Sequence, residues 1–380
     1  MEVYSISMQT YFILILNSGS SSVKYALFKD KKCLFRGIKE NIGLKTGEKN
    51  HEIAIKKILN RLVNDKFIKD ISEIKIIGHR VVHGGEFFKK SIVINKNNLK
   101  KIKEISYLAP LHNPPNILGV EICQKILPKA KNVAVFDTEF YSSLPKSAYL
   151  YALPYEFYQK YKIRRYGFHG ISHKYVASLA EEILGKKINR LITCHLGAGS
   201  SITAIKNGKP IDTSMGFTPL EGLVMESRCG NIDPSIPLFL ISKFNYTASQ
   251  LDDILNKQSG YLGICGVKDF REILKMKNEK TKLCYQIYLR SVVKYIGSYI
   301  GLLGGVNAIV FTAGIGEGSA KFRKEVMDSF KYLGVQIDNN KNNQQEKIIS
   351  TSNSKVRVLA LQTDEELMIY EEVLKLPRIS

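Results

Sequence analysis

The chain has few acidic residues, no closely paired cysteines and no long apolar run, and each shortage removes a class of protein. Lys and Arg number 56 against 35 Asp and Glu, a formal net charge of +21 over 380 residues. Nucleic-acid binding would need that excess gathered on one face with interleaved aromatics. Attraction of an anionic substrate would need only a few Arg and Lys in a cleft. Lysine instead runs the whole length of the chain, which fits scattered, solvated charge and no nucleic-acid partner. The six cysteines, at 33, 123, 194, 229, 265 and 284, include no CxxC pair, which argues against zinc. They read as reduced core residues of an intracellular enzyme. Met1–Thr10 carries an acid and no basic stretch, and the apolar run Tyr11–Leu16 is too short for a secretory signal or a membrane span. The expectation is a cytoplasmic protein without membrane association, residues 1–10 forming an extension before the first strand.

Two segments, far apart, have the same build. Ile13–Leu16 is an apolar run leading into Asn17-Ser18-Gly19-Ser20-Ser21-Ser22 and then the alternating Val23–Leu27. Leu191–Thr193 opens a second run, followed by His195-Leu196-Gly197-Ala198-Gly199-Ser200-Ser201 and the alternating Ile202–Ile205. Each reads as strand, tight Gly/Ser turn, strand. Such a turn offers backbone N–H groups and hydroxyls at close range, which suits phosphate oxygens. Two of them half a chain apart point to two related domains and one nucleotide, and so to ATP-handling proteins.

Strands and helices alternate through the rest. Ile55, Ile58, Leu59 and Leu62 predict a helix over 51–64, and Leu99–Leu108 a second. Ile74–Ile77 is a buried strand, and Ala109–Pro115 an irregular loop, because proline breaks regular structure. Val133–Phe136 is a strand ending at Asp137. Tyr175–Leu184 is helical with Ser172 as its cap, and Cys284–Leu303 is a long striped helix. Ala308–Thr312 is a strand that leads through the loop Ala313–Ser319 to a helix over Phe322–Leu333. Val356–Leu361 and Glu365–Leu376 are the last strand and helix. The pattern is α/β without a low-complexity linker, with a boundary near Ser142–Tyr151.

The chemistry-bearing candidates sit at turns. Arg80 (Gly78-His79-Arg80) and Arg228 (Ser227-Arg228-Cys229-Gly230) suit a carboxylate or a phosphoryl group, whose oxygens match the guanidinium fork; two structural salt bridges are the alternative. His112 lies in the Pro-rich loop and His169 in Tyr166-Gly167-Phe168-His169-Gly170. Asp137 ends a strand, where ligand contacts of α/β sheets gather. Glu365 opens the last helix, where compensation of the helix dipole accounts for an acid equally well. The Gly314–Ser319 segment opens a helix and is suited to hold a nucleotide by its backbone.

These residues together resemble the acetate kinases, within the superfamily of acetate and sugar kinases, heat-shock proteins and actin. The matching motifs are Asn17–Lys24, Gly78–Gly85, Ala109–Pro115, Phe136–Thr138, Arg165–Gly170, His195–Gly197, Asp212–Gly222, Arg228–Pro234, Phe311–Glu317 and Glu365–Leu367, in family order over nearly the whole chain. The resemblance implies a duplicated actin-like (ribonuclease H-like) α/β fold with the active site in the interdomain cleft. It implies an N-terminal domain of residues 11–145 completed by the helix 367–380, and a C-terminal domain of 146–366. The implied reaction is ATP plus acetate giving ADP plus acetyl phosphate, reversibly, with magnesium (manganese as the alternative), in a homodimer. Asn17 and Glu365 are implied at the metal. Arg80 and Arg228 are implied on the carboxylate and phosphoryl oxygens, with Asp137 beside the phosphoryl. His169 would stabilise the transition state, with His112 next to it. Val82, Leu111, Phe168 and Pro219 would enclose the acetate methyl. Lys24, His195, Gly197 and Gly199 would face the phosphates, and Asp269, Phe270, Arg271, Gly314, Ile315 and Gly316 the adenosine.

The sequence departs from the family at Ala198 and Gly318, which replace the usual asparagines near the nucleotide, and at Glu226-Ser227, where Gly-Thr is common. None of these removes a residue assigned to chemistry. Val82 favours a small acyl group over the propionate or butyrate of sister kinases. Joint presence of Arg80, His169 and Arg228 argues against a non-catalytic actin-like ATP-binding module.

Overall fold

The structure, a computed structural model, describes residues 11–276 and 278–377; the extension expected over 1–10 lies outside them. The chain forms two compact units, one from residues up to Ser142 together with those from Asp364 onward, the other Ser143–Thr363.

The first unit is built on six strands: β1 (Phe12–Ser18), β2 (Val23–Lys29), β3 (Lys32–Lys39), β4 (Ile74–Val81), β5 (Ile92–Val93) and β6 (Lys131–Phe136), in the order β3-β2-β1-β4-β6-β5. β1, β2 and β3 run antiparallel to their neighbours, and β4 and β6 continue parallel to β1. The β1 sequence is apolar at nearly every position because both faces are covered. Leu14 and Leu16 face a core that includes Ile55, Leu59 and Leu62 of the helix His51–Asn64. Ile15 points the other way, to where the helix Glu365–Leu374 crosses β4 at Gly78. A Cβ on Gly78 would come within 2.7 Å of Ile15, 3.0 Å of Val373 and 3.1 Å of Ile369, so only glycine lets this helix lie so close.

The second unit repeats the order. Its strands are β7 (Arg190–Leu196), β8 (Ser200–Lys206), β9 (Lys209–Thr213), β10 (Ala308–Thr312) and β11 (Arg357–Ala360), arranged β11-β10-β7-β8-β9. β7, β8 and β9 are antiparallel neighbours, and β10 and β11 are parallel to β7. With β7 matched to β1, this is the same three antiparallel strands followed by two parallel ones. The fold is therefore α/β, duplicated and actin-like. One face packs Ile192, Cys194, Ile202, Ile309 and Phe311 against Tyr288, Val292 and Ile296 of the long helix Glu279–Leu303.

Several local expectations change. Ser172 is not a cap: the helix runs Gly170–Leu184, His169 is its N-cap, and the Ser172 hydroxyl is engaged by a strand residue. The segment 109–115 is only partly a loop, because a helix starts at Asn113 with two prolines in its first turn. First-turn N–H groups have no helical acceptor, so proline costs nothing there. The glycine-rich 313–319 segment is a short helix, Ala313–Gly318, whose start is held by the Glu317 carboxylate accepting from the Ala313 N–H at 2.8 Å and the Thr312 hydroxyl at 3.2 Å. The helices expected over 99–108 and 322–333 stop at Glu104 and Asp328, and each gives way to a 3-10 turn.

Candidate active site

Each unit has a tight turn at the end of its first strand. In the first, Gly19 N–H donates to the Ser22 carbonyl at 2.7 Å; in the second, Gly197 N–H donates to the Gly199 carbonyl at 3.1 Å. Most of the other carbonyls are taken by the protein. Gly19 O accepts from His51 Nε2 at 2.8 Å and Ser21 O from the Ile42 N–H at 2.9 Å. Gly197 O accepts from the Ser200 and Tyr261 hydroxyls at 3.1 and 3.2 Å, and Ala198 O from the Glu226 N–H at 3.1 Å. Among the described residues the N–H groups of Ala198 and Gly199 have no backbone acceptor. A turn with its carbonyls occupied and its amides available is an anion nest.

Four expected site residues meet in the first unit. Arg80 grips the Asp137 carboxylate through Nε at 3.3 Å and Nη2 at 2.5 Å, and donates from Nη1 to Asn17 Oδ1 at 3.3 Å. Asn17 in turn donates from Nδ2 to Glu365 Oε2 at 3.4 Å. Burial works against the Arg80 charge, but Asp137 and then Glu365 outweigh it and raise its pKa above the ordinary guanidinium value. Lys24 stands opposite Asn17 in the β1–β2 register and counters the burial and Glu365 charge that raise the Glu366 pKa. Val82 is buried two residues beyond Arg80. Its N–H donates to Asn116 Oδ1 at 3.0 Å, and Asn116 Nδ2 donates to the Ser18 carbonyl at 2.5 Å. Asn116 thus ties the strand end bearing Arg80 and Val82 to the first turn. It was not singled out from sequence. His112 is the N-cap of the helix Asn113–Ile126. Leu111 is 55% exposed.

The second unit collects histidines. The His169 and His195 rings stack with centroids 4.2 Å apart. His169 Nδ1 lies 2.9 Å from Ser201 Oγ, and His195 Nδ1 lies 2.8 Å from Ser172 Oγ, which lies 2.8 Å from Thr363 Oγ1. His169 takes a left-handed φ of 56°, which places its ring at the head of its helix. A Cβ on Gly199 would sit 3.3 Å from both His169 Cε1 and Nε2 and 3.6 Å from Arg228 Nη1, so the three face one small space. Arg228 reaches only the Pro219 carbonyl at 3.4 Å and the Met225 sulfur at 3.6 Å. No carboxylate pairs with it among the described residues. Burial lowers its pKa, with Glu226 opposing. Phe168 is buried.

Of the segments expected at the adenosine, the first turn of Ala313–Gly318 abuts the glycine turn. A Cβ on Gly197 would lie 3.6 Å from Ala313 Cβ and 3.9 Å from the Gly314 nitrogen, with Ile315 and Gly316 following in the same helix. Asp269 and Arg271 instead pair with each other at the surface, where Asp269 caps the helix Phe270–Lys275. The Phe270 side chain lies in the core against Tyr261, Tyr288 and Phe322, which leaves only its backbone for a ligand.

An actin-like sheet repeated within one chain, with a tight glycine turn at the same place in each copy and an anion nest at the second, defines an ATP-dependent phosphotransferase. The pattern of the Acetokinase family matches residues 12–371, and the chain belongs to that family. It is 51% identical to the acetate kinase of Carboxydothermus hydrogenoformans, over 96% of this chain and 98% of that one. It is 49% identical to the acetate kinase of Thermotoga maritima, over 94% and 96%. Among solved structures it is similar to Porphyromonas gingivalis acetate kinase, with TM-score 0.89, 42% identity and coverage of 96% and 99%. It is equally similar to a propionate kinase from Francisella tularensis, with TM-score 0.90, 42% identity and coverage of 95% and 98%.

Proposed function

We infer that this protein is an acetate kinase, transferring the γ-phosphoryl group of ATP to acetate to give acetyl phosphate, reversibly. The observation that carries this is family membership over residues 12–371, joined to a half-buried arginine, Arg228, held beside His169 with no carboxylate partner among the described residues.

Acetate is ionised at neutral pH, since free carboxyl pKa values lie at about 4, so no general base is required. Asp137 fits that logic: both its oxygens are engaged by Arg80, so it is assigned to orienting the guanidinium. Arg80 is assigned to the carboxylate of acetate. Arg228 and His169 are assigned to the charge that develops on the transferring phosphoryl, the dominant demand of this reaction. The amides of the two glycine turns and His195 are assigned to the β- and γ-phosphates. His112 and Lys24 are assigned supporting roles beside them, and the Asp269–Arg271 and Gly314–Gly316 segments are assigned to the adenosine.

Magnesium is assigned to the Glu365 carboxylate and to the amide oxygen of Asn17, hard donors of the kind that ion takes; Asn17 Oδ1 here accepts from Arg80 at 3.3 Å and would have to turn toward the metal. That ion takes few protein ligands and fills its shell with water and phosphate oxygens. Bound there, it neutralises phosphate charge. Among the described residues no cluster of three or more His, Cys, Asp or Glu is placed to hold a metal.

A second copy of this chain is proposed as the partner. The helix Ser235–Phe244 buries none of its residues, and Ile236, Leu238, Phe239, Ile241 and Phe244 are all exposed. A run of that kind marks an association surface. Light scattering should find a dimer, and Leu238→Asp with Phe239→Asp should yield monomer; an unchanged dimer would place the interface elsewhere. None of the described helices is long and apolar enough to cross a membrane, and we assign the enzyme to the cytoplasm, where ATP is available.

The test of function is a hydroxamate assay for acyl phosphate with acetate, propionate and butyrate. Acetate should give the highest kcat/KM. A preference for propionate would instead favour the activity named for the Francisella structure. No acyl phosphate from any of the three would overturn the reading.

A further inference from the structure

On one face of the second unit, the polar side chains form a continuous chain behind His169. Thr193 and His195 alternate along β7. Ser201 pairs in register with His195 on β8, so the three share a face of the sheet. The helix Gly170–Leu184 lies over that face, with His169 at its head and His173 one turn on, bonded to it through the His173 N–H and the His169 carbonyl at 2.9 Å. His173 is fully buried. Its Nδ1 lies 2.7 Å from Thr193 Oγ1, and its Nε2 lies 2.7 Å from Ser201 Oγ. Ser201 Oγ is also the atom 2.9 Å from His169 Nδ1. The sequence of contacts is therefore Thr193, His173, Ser201, His169.

A serine hydroxyl has one proton to donate. Placed between two ring nitrogens, it donates to one and accepts from the other when both rings are neutral. Burial, and then the neighbouring His195, hold the His173 pKa well below the ordinary imidazole value, so His173 is neutral and carries one ring proton. With that proton on Nε2, His173 donates to Ser201. Ser201 then donates to His169 Nδ1, and the His169 proton must sit on Nε2. Turned round, the chain would leave His169 Nε2 bare. Nε2 is the nitrogen that faces the space shared with Arg228 Nη1 beside Gly199. An anion there needs N–H donors, and a bare lone pair would repel it.

We propose that His173 is a positioning residue for phosphoryl transfer, acting through Ser201 to hold His169 with its proton on Nε2, the side it shares with Arg228. The proposal rests on the acetate kinase reading for the reaction that it serves. Thr193 Oγ1 completes the chain by donating to His173 Nδ1. Neither His173 nor Ser201 needs to touch substrate, and no net proton transfer takes place. An oriented neutral donor is what the chain supplies to a reaction that consumes no base.

The experiment compares Ser201→Ala, Ser201→Thr, His173→Gln and His173→Leu in steady-state assays with ATP and acetate, each also combined with His169→Ala. Ser201→Ala should lower kcat ~10- to 100-fold, the usual cost of removing a group that orients a working ligand, and leave both KM values nearly unchanged. Ser201→Thr, which keeps the hydroxyl, should retain most of the activity. His173→Gln, whose amide can donate in place of Nε2, should exceed His173→Leu. In the His169→Ala background, Ser201→Ala should lower kcat no further, because its whole effect passes through that ring. An equal loss with and without His169, or unchanged kcat in Ser201→Ala, would overturn the proposal. If the His173 variants fail to fold, the Ser201 pair and its combination with His169→Ala still decide it. Failure of the wild-type protein to make acetyl phosphate would count against the assigned reaction, whereas additive losses in an active enzyme would count against the relay alone.

Discussion

In the first unit the arginine of the site is bonded through two of its nitrogens to a carboxylate, whereas in the second it reaches, among the described residues, only a carbonyl and a sulfur. The strands behind them are the same: Asn17 and His195 are each the last but one residue of the first strand of their unit, directly before a turn with occupied carbonyls. One scaffold thus supports two electrostatic states. Arg80 is held in place by Asp137 and Asn17 before any ligand arrives. Arg228 keeps a charge that burial disfavours, and an arriving anion relieves that. Pairing fixes the geometry of Arg80, and on the proposed function the lack of a carboxylate partner leaves Arg228 open to an anion.

The sharpest way to break this contrast is to remove each arginine. Arg80→Ala and Arg228→Ala should each lower kcat ~10²–10³-fold, the usual loss for one donor aimed at developing charge. Their stabilities should diverge. Arg80→Ala takes the guanidinium from a carboxylate that is 1% exposed, a loss of about 3–5 kcal/mol that a thermal melt will show. Arg228→Ala should melt close to wild type. Equal melting temperatures would show that the two arginines are built alike.

The turns offer a second contrast. Gly199→Ala pushes a methyl into the space shared by His169 and Arg228 and should cost ~10- to 100-fold in kcat. Gly19→Ala meets the Ser22 hydroxyl at 3.2 Å, which can turn aside, and the Ser22 carbonyl at an ordinary 3.6 Å, so activity should change little. A similar loss at both positions would mean that the turns do the same work.

Glu365→Ala should raise the magnesium concentration needed for half-maximal turnover, with partial recovery at excess magnesium. If Glu365 serves only the helix dipole, the variant will lose ~0.3–1 kcal/mol of stability and keep its magnesium dependence. The smallest effect is expected at Val82. A methylene in a tight apolar pocket is worth ~1–3 kcal/mol, so Val82→Ala should narrow the preference for acetate over propionate without a general rise in activity. An unchanged kcat/KM ratio would remove Val82 from the acyl pocket.

The central strands and the two turns were readable because glycine and serine interrupt apolar runs there, and the helix His51–Asn64 because its apolar spacing is clean. The third strand of each sheet was not. Lys32–Lys39 alternates poorly, since this edge strand is only half covered, and Lys209–Thr213 is five residues long. The helix Ser235–Phe244 has apolar residues on every side, so no stripe marked it. Among site residues, those that touch ligands by family resemblance were named, while His173 and Asn116 were not singled out, Ser172 was read only as a helix cap and Ser201 only as part of a turn. Their importance lies in what they hold across gaps of 20 to 98 residues, a pairing no local pattern records.

The contact between Asn17 and Glu365 joins residues 348 apart, and every residue of the second unit lies between them in the chain. On the ribosome, the first sheet therefore emerges early but waits, without the helix Glu365–Leu374 on one of its faces, until the whole second unit has been made. During that interval Ile15 and the glycine groove at Gly78 are uncovered, and the proposed magnesium site has only one of its two donors. On the proposed assignment, a nascent chain would lack a complete metal site until both halves have been made.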